Sequence, residues 1–319
     1  MSSSLVATAV PHFAAFDSGH KSAATVVFVF ALLSTLVLSI VLLGVVWVVS
    51  FAAFKRTASE HLGREVFFFR SQLGQYAFSL LLSKWISSLG GLITVKWVYE
   101  NGITTGPSCA AQGALNELGE FGSSFFVVAM GIHTFNTLVL RNRQPQWVGP
   151  VVTTLGWASA LAVGAGPLTI SSRASGPLYN IGSLTCGFSK SSPIPHMLLF
   201  FVPVFLASLL SAIVYSLIFL ILRGTLTING GLRFQLDPER RLRLRNETFE
   251  EYQRFVYSVA RTMLWLPFTF VLTLFPSSIV QSMDMSGIAV SAGTMAFSYV
   301  LVYLDGTEIV TSFVNQVNI

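Results

Sequence analysis

Six long stretches of the sequence contain no charged residue, and they constrain the fold more than any other feature. These stretches are 22–54, 121–140, 144–172, 191–222, 262–283 and 285–304. An α-helix needs about 20 mostly apolar residues to cross the roughly 30 Å hydrocarbon core of a bilayer. Each stretch is long enough for one such helix, so the sequence predicts at least six membrane spans.

The composition agrees with a membrane protein. Apolar residues make up 53% of the 319 residues and charged residues only 10%, whereas a soluble domain has about 25% charged residues. The mean hydropathy is +0.68. The chain therefore has too few polar residues to cover the surface of a water-soluble protein.

A seventh span is predicted at 72–98, although it contains Lys84 and Lys96. Lys96 lies beside Trp97 and Tyr99, which are typical of a membrane interface that a long lysine side chain can reach. Lys84 lies deeper and has no such explanation. We therefore predict an all-α membrane protein, a seven-transmembrane helix bundle. Its spans are expected at about 24–51, 72–98, 109–140, 147–168, 196–222, 258–281 and 288–316.

Lysine and arginine are distributed unevenly between the segments that connect these spans. One set contains 14 of them and comprises 52–70, 141–146 and 223–261. The other set contains 3 and comprises 1–23, 98–108, 169–195 and 282–287. Because basic loops face the cytoplasm, we predict an extracellular N-terminal segment 1–23, a cytoplasmic loop 223–257 and a cytoplasmic C-terminal end 317–319. The net charge of +5 reflects this topology and does not indicate nucleic-acid binding.

The two cysteines, Cys109 and Cys186, both lie on the predicted extracellular side. That side is oxidising, so a pair of cysteines there favours a disulfide. The alternative is two buried free thiols. A disulfide would tie the long loop at 169–195 across the outer end of the third span.

Four short motifs accompany this architecture. They are Cys-x-x-Gln-Gly at Cys109–Gly113, Ile-His-Thr-Phe at Ile132–Phe135, GPLYNIGSLTC at Gly176–Cys186 and YVLVYLDG at Tyr299–Gly306. With seven spans and the cysteine pair, they resemble the G-protein-coupled receptors, in particular the fungal glucose-sensing and cAMP-receptor-like branch. The resemblance implies a multi-pass plasma-membrane receptor that signals to the α-subunit of a heterotrimeric G protein. The chain departs from rhodopsin-like receptors, since no Asp-Arg-Tyr closes the third span and the seventh contains no proline.

Four ionisable residues fall inside predicted spans. Counted from the outer ends of their helices, Glu117 lies at a depth of about 12 Å, Glu120 at 16 Å, Lys84 at 21 Å and Asp305 at 26 Å. Ionisable groups at such depths face the bundle interior and pair with each other or line a cavity. One interpretation is a structural ion pair among Lys84, Glu120 and Asp305. The other is a ligand pocket at Glu117, Glu120 and Lys96 above a Lys84–Asp305 latch.

The predicted cytoplasmic side offers a surface for a G protein. We expect the contact at His133, Arg141, Arg143, Arg254 and Arg261, with Pro267 as a hinge in the sixth span. Each has a simpler alternative, because His133 can be a packed histidine and the proline kink can be static. The arginines of the third inner loop can instead bind anionic membrane lipid.

Two other functions were compared with the receptor. A sugar transporter is suggested by QPQW at 144–147, but the motif has no second copy and the chain shows no internal repeat. A retinal protein needs a lysine in its last helix, and 288–316 has none. The sequence contains no catalytic motif and no spacing of metal ligands, so we expect no enzyme activity, no cofactor and no metal. The small-molecule ligand stays unidentified, and a homodimer is compatible with this architecture.

Overall fold

The computed structural model describes residues 13–54, 71–138, 140, 144–169, 177–189, 197–222, 226–228, 232–234 and 265–317. Within these ranges the chain forms seven long helices, so the predicted seven-helix bundle is confirmed. They are α1 (Ser18–Phe54), α2 (Gln72–Leu92), α4 (Pro107–Leu138), α5 (Val148–Thr169), α6 (Val202–Leu222), α7 (Trp265–Met285) and α8 (Ala292–Val317). A short helix, α3 (Thr94–Glu100), continues α2 beyond a break at Ile93, and a π-helical turn (Met197–Phe201) precedes α6.

The helices close into a bundle with α4 at its centre. Helix α4 packs against α2, α5 and α6, while α7 packs against α6 and α8. Helix α8 also contacts α1, and α1 contacts α2, so the ring is complete. An α-helix satisfies its own backbone hydrogen bonds, which is the condition for a chain that crosses hydrocarbon.

Small residues allow α2 and α4 to approach closely. A Cβ atom placed on Gly119 would come within 2.6 Å of the Ser83 carbonyl oxygen and the Ser87 Cβ. Ser83 and Ser87 are themselves buried. Close contact through glycine and serine is the usual way in which membrane helices pack, since lipid gives no hydrophobic force to hold them together.

Large apolar side chains lie on the outside of the bundle. On α1, for example, Ile40, Leu43 and Trp47 are each about 70% exposed, whereas Ser34 and Thr35 are buried. Four helical segments are long and apolar enough to cross a membrane: Ser18–Phe51, Gln72–Glu100, Val148–Thr169 and Val202–Leu220. The structure is that of a membrane protein with its apolar surface turned towards lipid.

Two antiparallel strand pairs lie at one end of the bundle, which we call the disulfide end, and the second of them is a β-hairpin. Strand β1 (Phe13–Ala15) pairs antiparallel with β2 (Gly102–Thr104), and β3 (Tyr179–Ile181) pairs antiparallel with β4 (Cys186–Phe188). Cys186 forms a disulfide with Cys109 near the start of α4, as predicted. A third pair, β5 (Leu226–Ile228) and β6 (Leu232–Phe234), follows α6 at the opposite end.

Candidate functional site

A buried ion pair joins α2 to α8 in the interior of the bundle. Lys84 Nζ lies 2.6 Å from Asp305 Oδ2, and the two side chains are 2% and 0% exposed. Glu120 on α4 is close enough to Lys84 to interact with it electrostatically. The structure therefore pairs Lys84 with Asp305 and places Glu120 within electrostatic range of Lys84.

A small cavity of about 50 Å³ lies between this network and the hairpin formed by β3 and β4. Helix α4 and the hairpin form part of its wall, and α7 and α8 complete it. The lining residues are Asn116, Glu117, Glu120, Gly182, Ser183, Thr185, Cys186, Gly187, Phe188, Gln281, Asp284, Met285, Met295 and Tyr299. The predicted pocket residues Glu117 and Glu120 thus share one cavity, and the hairpin forms its roof.

Gln112 holds the roof to the rest of the bundle. Its side-chain oxygen accepts hydrogen bonds from the Cys186 backbone N–H (3.0 Å) and from the Trp97 indole N–H (2.7 Å). Its amide nitrogen donates to Thr94 Oγ1 (3.0 Å) and to the Gly90 carbonyl oxygen (3.3 Å). Since Gln112 is completely buried, this one side chain fixes the hairpin, α2 and α3 relative to α4.

The roof is also attached to α5, α7 and α8. Ser183 Oγ donates to Asp284 Oδ1 (2.7 Å), and Thr185 Oγ1 donates to the Tyr299 hydroxyl (2.8 Å). On the other strand, the Tyr179 hydroxyl donates to the Gly164 carbonyl oxygen (2.8 Å). Movement of the hairpin would therefore strain or break contacts with three helices in addition to α4.

The cavity is strongly acidic. Its lining contains three carboxylates, from Glu117, Glu120 and Asp284, and it contains no lysine, arginine or histidine. Glu117 is 7% exposed, and its Oε2 has no hydrogen-bond partner among the residues described. Burial, and then the neighbouring Glu117, raise the pKa of the Tyr179 phenol on the hairpin.

Lys96, the third predicted ligand-binding residue, does not line this cavity. Its Nζ donates to Ser108 Oγ (3.0 Å), lies 3.9 Å from Glu100 Oε1 and sits 5.1 Å from the centre of the Trp97 ring. The break at Ile93 separates the helix that carries Lys96 from α2. Lys96 thus lies near the start of α4 and outside the cavity.

The sequence analysis assigned only Glu117 and Glu120 of these lining residues to a pocket, and Asn116, Asp284 and Tyr299 are among those it missed. Asn116 Oδ1 is buried without a hydrogen-bond partner in the described part of the chain. Asp284 had a detectable signal, because it is the one charge between the uncharged stretches 262–283 and 285–304. Tyr299 begins the motif YVLVYLDG, but nothing in that motif indicated a cavity.

At the opposite end of α4, His133 is a packed, hydrogen-bonded residue. Its Nδ1 lies 2.9 Å from Gln144 Oε1, and its ring meets the Tyr76 ring edge to face at 5.8 Å. Four predicted G-protein contacts lie outside the described residues: Arg141, Arg143, Arg254 and Arg261. Pro267 lies in the first turn of α7 as described, and residues 251–264 lie outside the described ranges.

The fold resembles a solved receptor structure. The chain superimposes on squid rhodopsin with a TM-score of 0.59, which covers 94% of this chain and 85% of that one at 12% sequence identity. No protein-family model and no curated protein matches the sequence. The structure therefore has the seven-helix fold of squid rhodopsin. The resemblance to the fungal glucose-sensing branch stays a prediction.

Proposed function

We propose that this protein is a plasma-membrane receptor that passes an extracellular small-molecule signal to the α-subunit of a heterotrimeric G protein. The observation that supports it best is the acidic cavity beneath a disulfide-anchored hairpin, in a receptor fold. In the proposed orientation the disulfide end faces outside, as the distribution of lysine and arginine predicts. The proposed fungal family rests on the sequence motifs.

The contacts suggest how a ligand would change the state of the bundle. Glu120 lines the cavity and interacts electrostatically with Lys84, which is paired with Asp305. A ligand that takes up the negative charge of Glu120 leaves Lys84 more strongly attracted to Asp305. Because the ion pair joins α2 to α8, such a change shifts the balance between two packings of these helices.

The signal is proposed to leave at the opposite end. His133, Arg141, Arg143, Arg254 and Arg261 would contact the G protein, with Pro267 as the hinge of α7. A G-protein α-subunit would present an amphipathic helix to the cleft between these residues. Membrane lipid and a second copy of the chain are further proposed partners.

A transporter for a small solute such as a sugar is the second candidate. It is favoured by the Pro-Gln pair at Pro145–Gln146, which the structure places at the end of the bundle opposite the disulfide. There the Pro145 carbonyl oxygen accepts a hydrogen bond from Gln72 Nε2 (2.6 Å). This contact attaches the pair to α2.

One experiment tests both candidates. The full chain is reconstituted in liposomes with purified G protein, and a panel of nutrients and small metabolites is added. A receptor is expected to accelerate nucleotide exchange on the α-subunit with at least one compound. Uptake of a radiolabelled compound into the liposomes, with no compound accelerating exchange, would contradict the receptor and favour the transporter.

A further inference from the structure

We propose that the ligand of this cavity is a small organic cation, a primary amine such as an amino alcohol, and that Glu117 is its counter-ion. The inference rests on the proposed function, because it names the ligand class of the same site. Four observations carry it: the charge of the lining, the state of Glu117, the arrangement of the acids and the size of the cavity.

The side chains around the cavity are acidic. Glu117, Glu120 and Asp284 line it, and no basic residue does. The cation of the interior network, Lys84, is already engaged with Asp305 at 2.6 Å. A ligand that carries a positive charge would stabilise the ionised form of these acids.

Glu117 needs a partner more than the other two acids. Asp284 accepts a hydrogen bond from Ser183, and Glu120 interacts with Lys84. Glu117 is 93% buried, and in the described part of the chain it has no salt bridge and no hydrogen bond to Oε2. A buried carboxylate without a partner is strongly disfavoured. An ammonium group would satisfy it, because one ammonium offers three N–H donors.

A second acceptor lies beside Glu117. Asn116 Oδ1 also lines the cavity and is buried without a hydrogen-bond partner among the described residues. Neighbouring residues of an α-helix point about 100° apart, so Asn116 would accept a hydrogen bond from a different part of the ligand than the ammonium group that Glu117 binds. The aromatic ring of Tyr299 in the same lining adds a surface that attracts cations.

The acidic side chains are not arranged to bind a divalent metal ion. In the described ranges, no group of three His, Cys, Asp or Glu side chains is placed to hold a metal ion. Calcium takes six to eight oxygen ligands, and magnesium requires near-octahedral oxygens. A singly charged organic cation needs one charged partner and a few neutral acceptors, which the cavity provides.

The size of the cavity limits the ligand. Its volume is about 50 Å³, and one water needs roughly 10–15 Å³ on this measure, so about 3–5 small groups fit. Ethanolamine, with four non-hydrogen atoms, is of this size. The hydroxyls of Ser183 and Thr185 in the roof can bind the alcohol end while Glu117 binds the amine.

The test uses the purified full chain in lipid nanodiscs, with ethanolamine hydrochloride as the probe and ethylene glycol as its neutral analogue of equal size. Thermal unfolding is followed at constant ionic strength. Ethanolamine is expected to raise the unfolding temperature in a saturable manner, and ethylene glycol is expected to have no effect. A ligand that binds the folded protein but not the unfolded chain produces such a shift.

Glu117→Gln tests the counter-ion and preserves the shape of the side chain. It is expected to weaken ethanolamine binding by about 10- to 100-fold, the range for loss of a charge-assisted hydrogen bond. Glu100→Gln is the matched control. It removes an exposed carboxylate that lies at the same end of the bundle but does not line the cavity. The Glu100→Gln variant is expected to bind ethanolamine as tightly as the unaltered protein.

Three results would overturn the inference: no shift with ethanolamine, equal shifts with ethylene glycol, or unchanged binding in Glu117→Gln. The first two need no variant, so they stand even where a variant fails to fold. Ethanolamine binding without nucleotide exchange on any α-subunit would contradict the receptor function and leave this inference intact. Nucleotide exchange that is stimulated by a neutral sugar and unaffected by Glu117→Gln would support the receptor function and contradict this inference.

Discussion

Lys84 and Asp305 are paired at 2.6 Å, with both side chains almost completely buried between α2 and α8. Lys84→Met leaves Asp305 as an uncompensated charge, which costs about 3–5 kcal/mol for a buried pair. We expect a large loss of thermal stability of the purified protein. The double variant Lys84→Met with Asp305→Asn should recover part of it. Additive losses in the single and double variants would show that the two residues are not coupled.

Gln112 makes four hydrogen bonds, and its partners lie on α2, on α3 and on the hairpin. Gln112→Ala leaves the Trp97 indole N–H and the Cys186 backbone N–H buried without an acceptor. We expect a loss of about 2–6 kcal/mol in the free energy of unfolding, since each of the two buried orphan donors costs about 1–3 kcal/mol. Trp97→Phe removes only one of these bonds and should cost less. Equal losses in the two variants would contradict the central role of Gln112.

The disulfide between Cys109 and Cys186 anchors the roof of the cavity. We expect non-reducing mass spectrometry to find both cysteines in one linked peptide pair. Replacing both with serine should cost about 2–5 kcal/mol and increase hydrogen exchange across 177–189. Exchange that rises equally in β5 and β6, at the opposite end, would show a general loss of structure and not a loosened roof.

The sequence predicted the seven-helix fold because a membrane span is a property of local composition. Uncharged runs of 20 or more residues leave few alternatives in a bilayer. Helix α4 is the instructive case: the uncharged stretch 121–140 predicted it, yet it is not among the four helices that are apolar enough on average to cross a membrane. Its buried face carries Gln112, Glu117, Glu120 and Ser123, so an average over the helix hides the apolar face that meets lipid.

The details of the site were less accessible from the sequence. Depth along a helix suggested that Lys84 meets Asp305 or Glu120, but rotation about the helix axis decides between them, and that depends on packing. The position of Lys96 depends on the break at Ile93. That segment contains no proline, so the sequence gives no signal for the break. The role of Asp284 depends on the path of the hairpin, which descends far enough for Ser183 to reach it.

The proposed orientation can be tested directly. The basic segments 52–70, 141–146 and 223–261 are expected in the cytoplasm. An epitope tag after Ile319 should therefore bind antibody only in permeabilised cells. A tag before Met1 is the matched control and should be reached in intact cells. Labelling of the C-terminal tag in intact cells would reverse the orientation and place the acidic cavity on the cytoplasmic side.

The last prediction concerns the surface from which the signal leaves. In the sequence, Phe249, Tyr252 and Val256 recur at helical spacing, with Arg254 and Arg261 off that apolar stripe. These residues lie outside the described ranges, in the segment that precedes α7. An apolar stripe flanked by arginines suits the amphipathic helix that a G-protein α-subunit would insert.

Charge reversal separates this contact from lipid binding in the same loop. Arg254→Glu with Arg261→Glu is expected to abolish nucleotide exchange on the α-subunit while surface expression and ligand binding stay unchanged. Arg240→Glu with Arg241→Glu makes the same change of charge at residues expected to meet anionic lipid, and it should retain coupling. If the first pair retains coupling, the G protein binds elsewhere and the transporter proposal gains support. If both pairs lose it, the loop acts through its total charge and the specific contact is refuted.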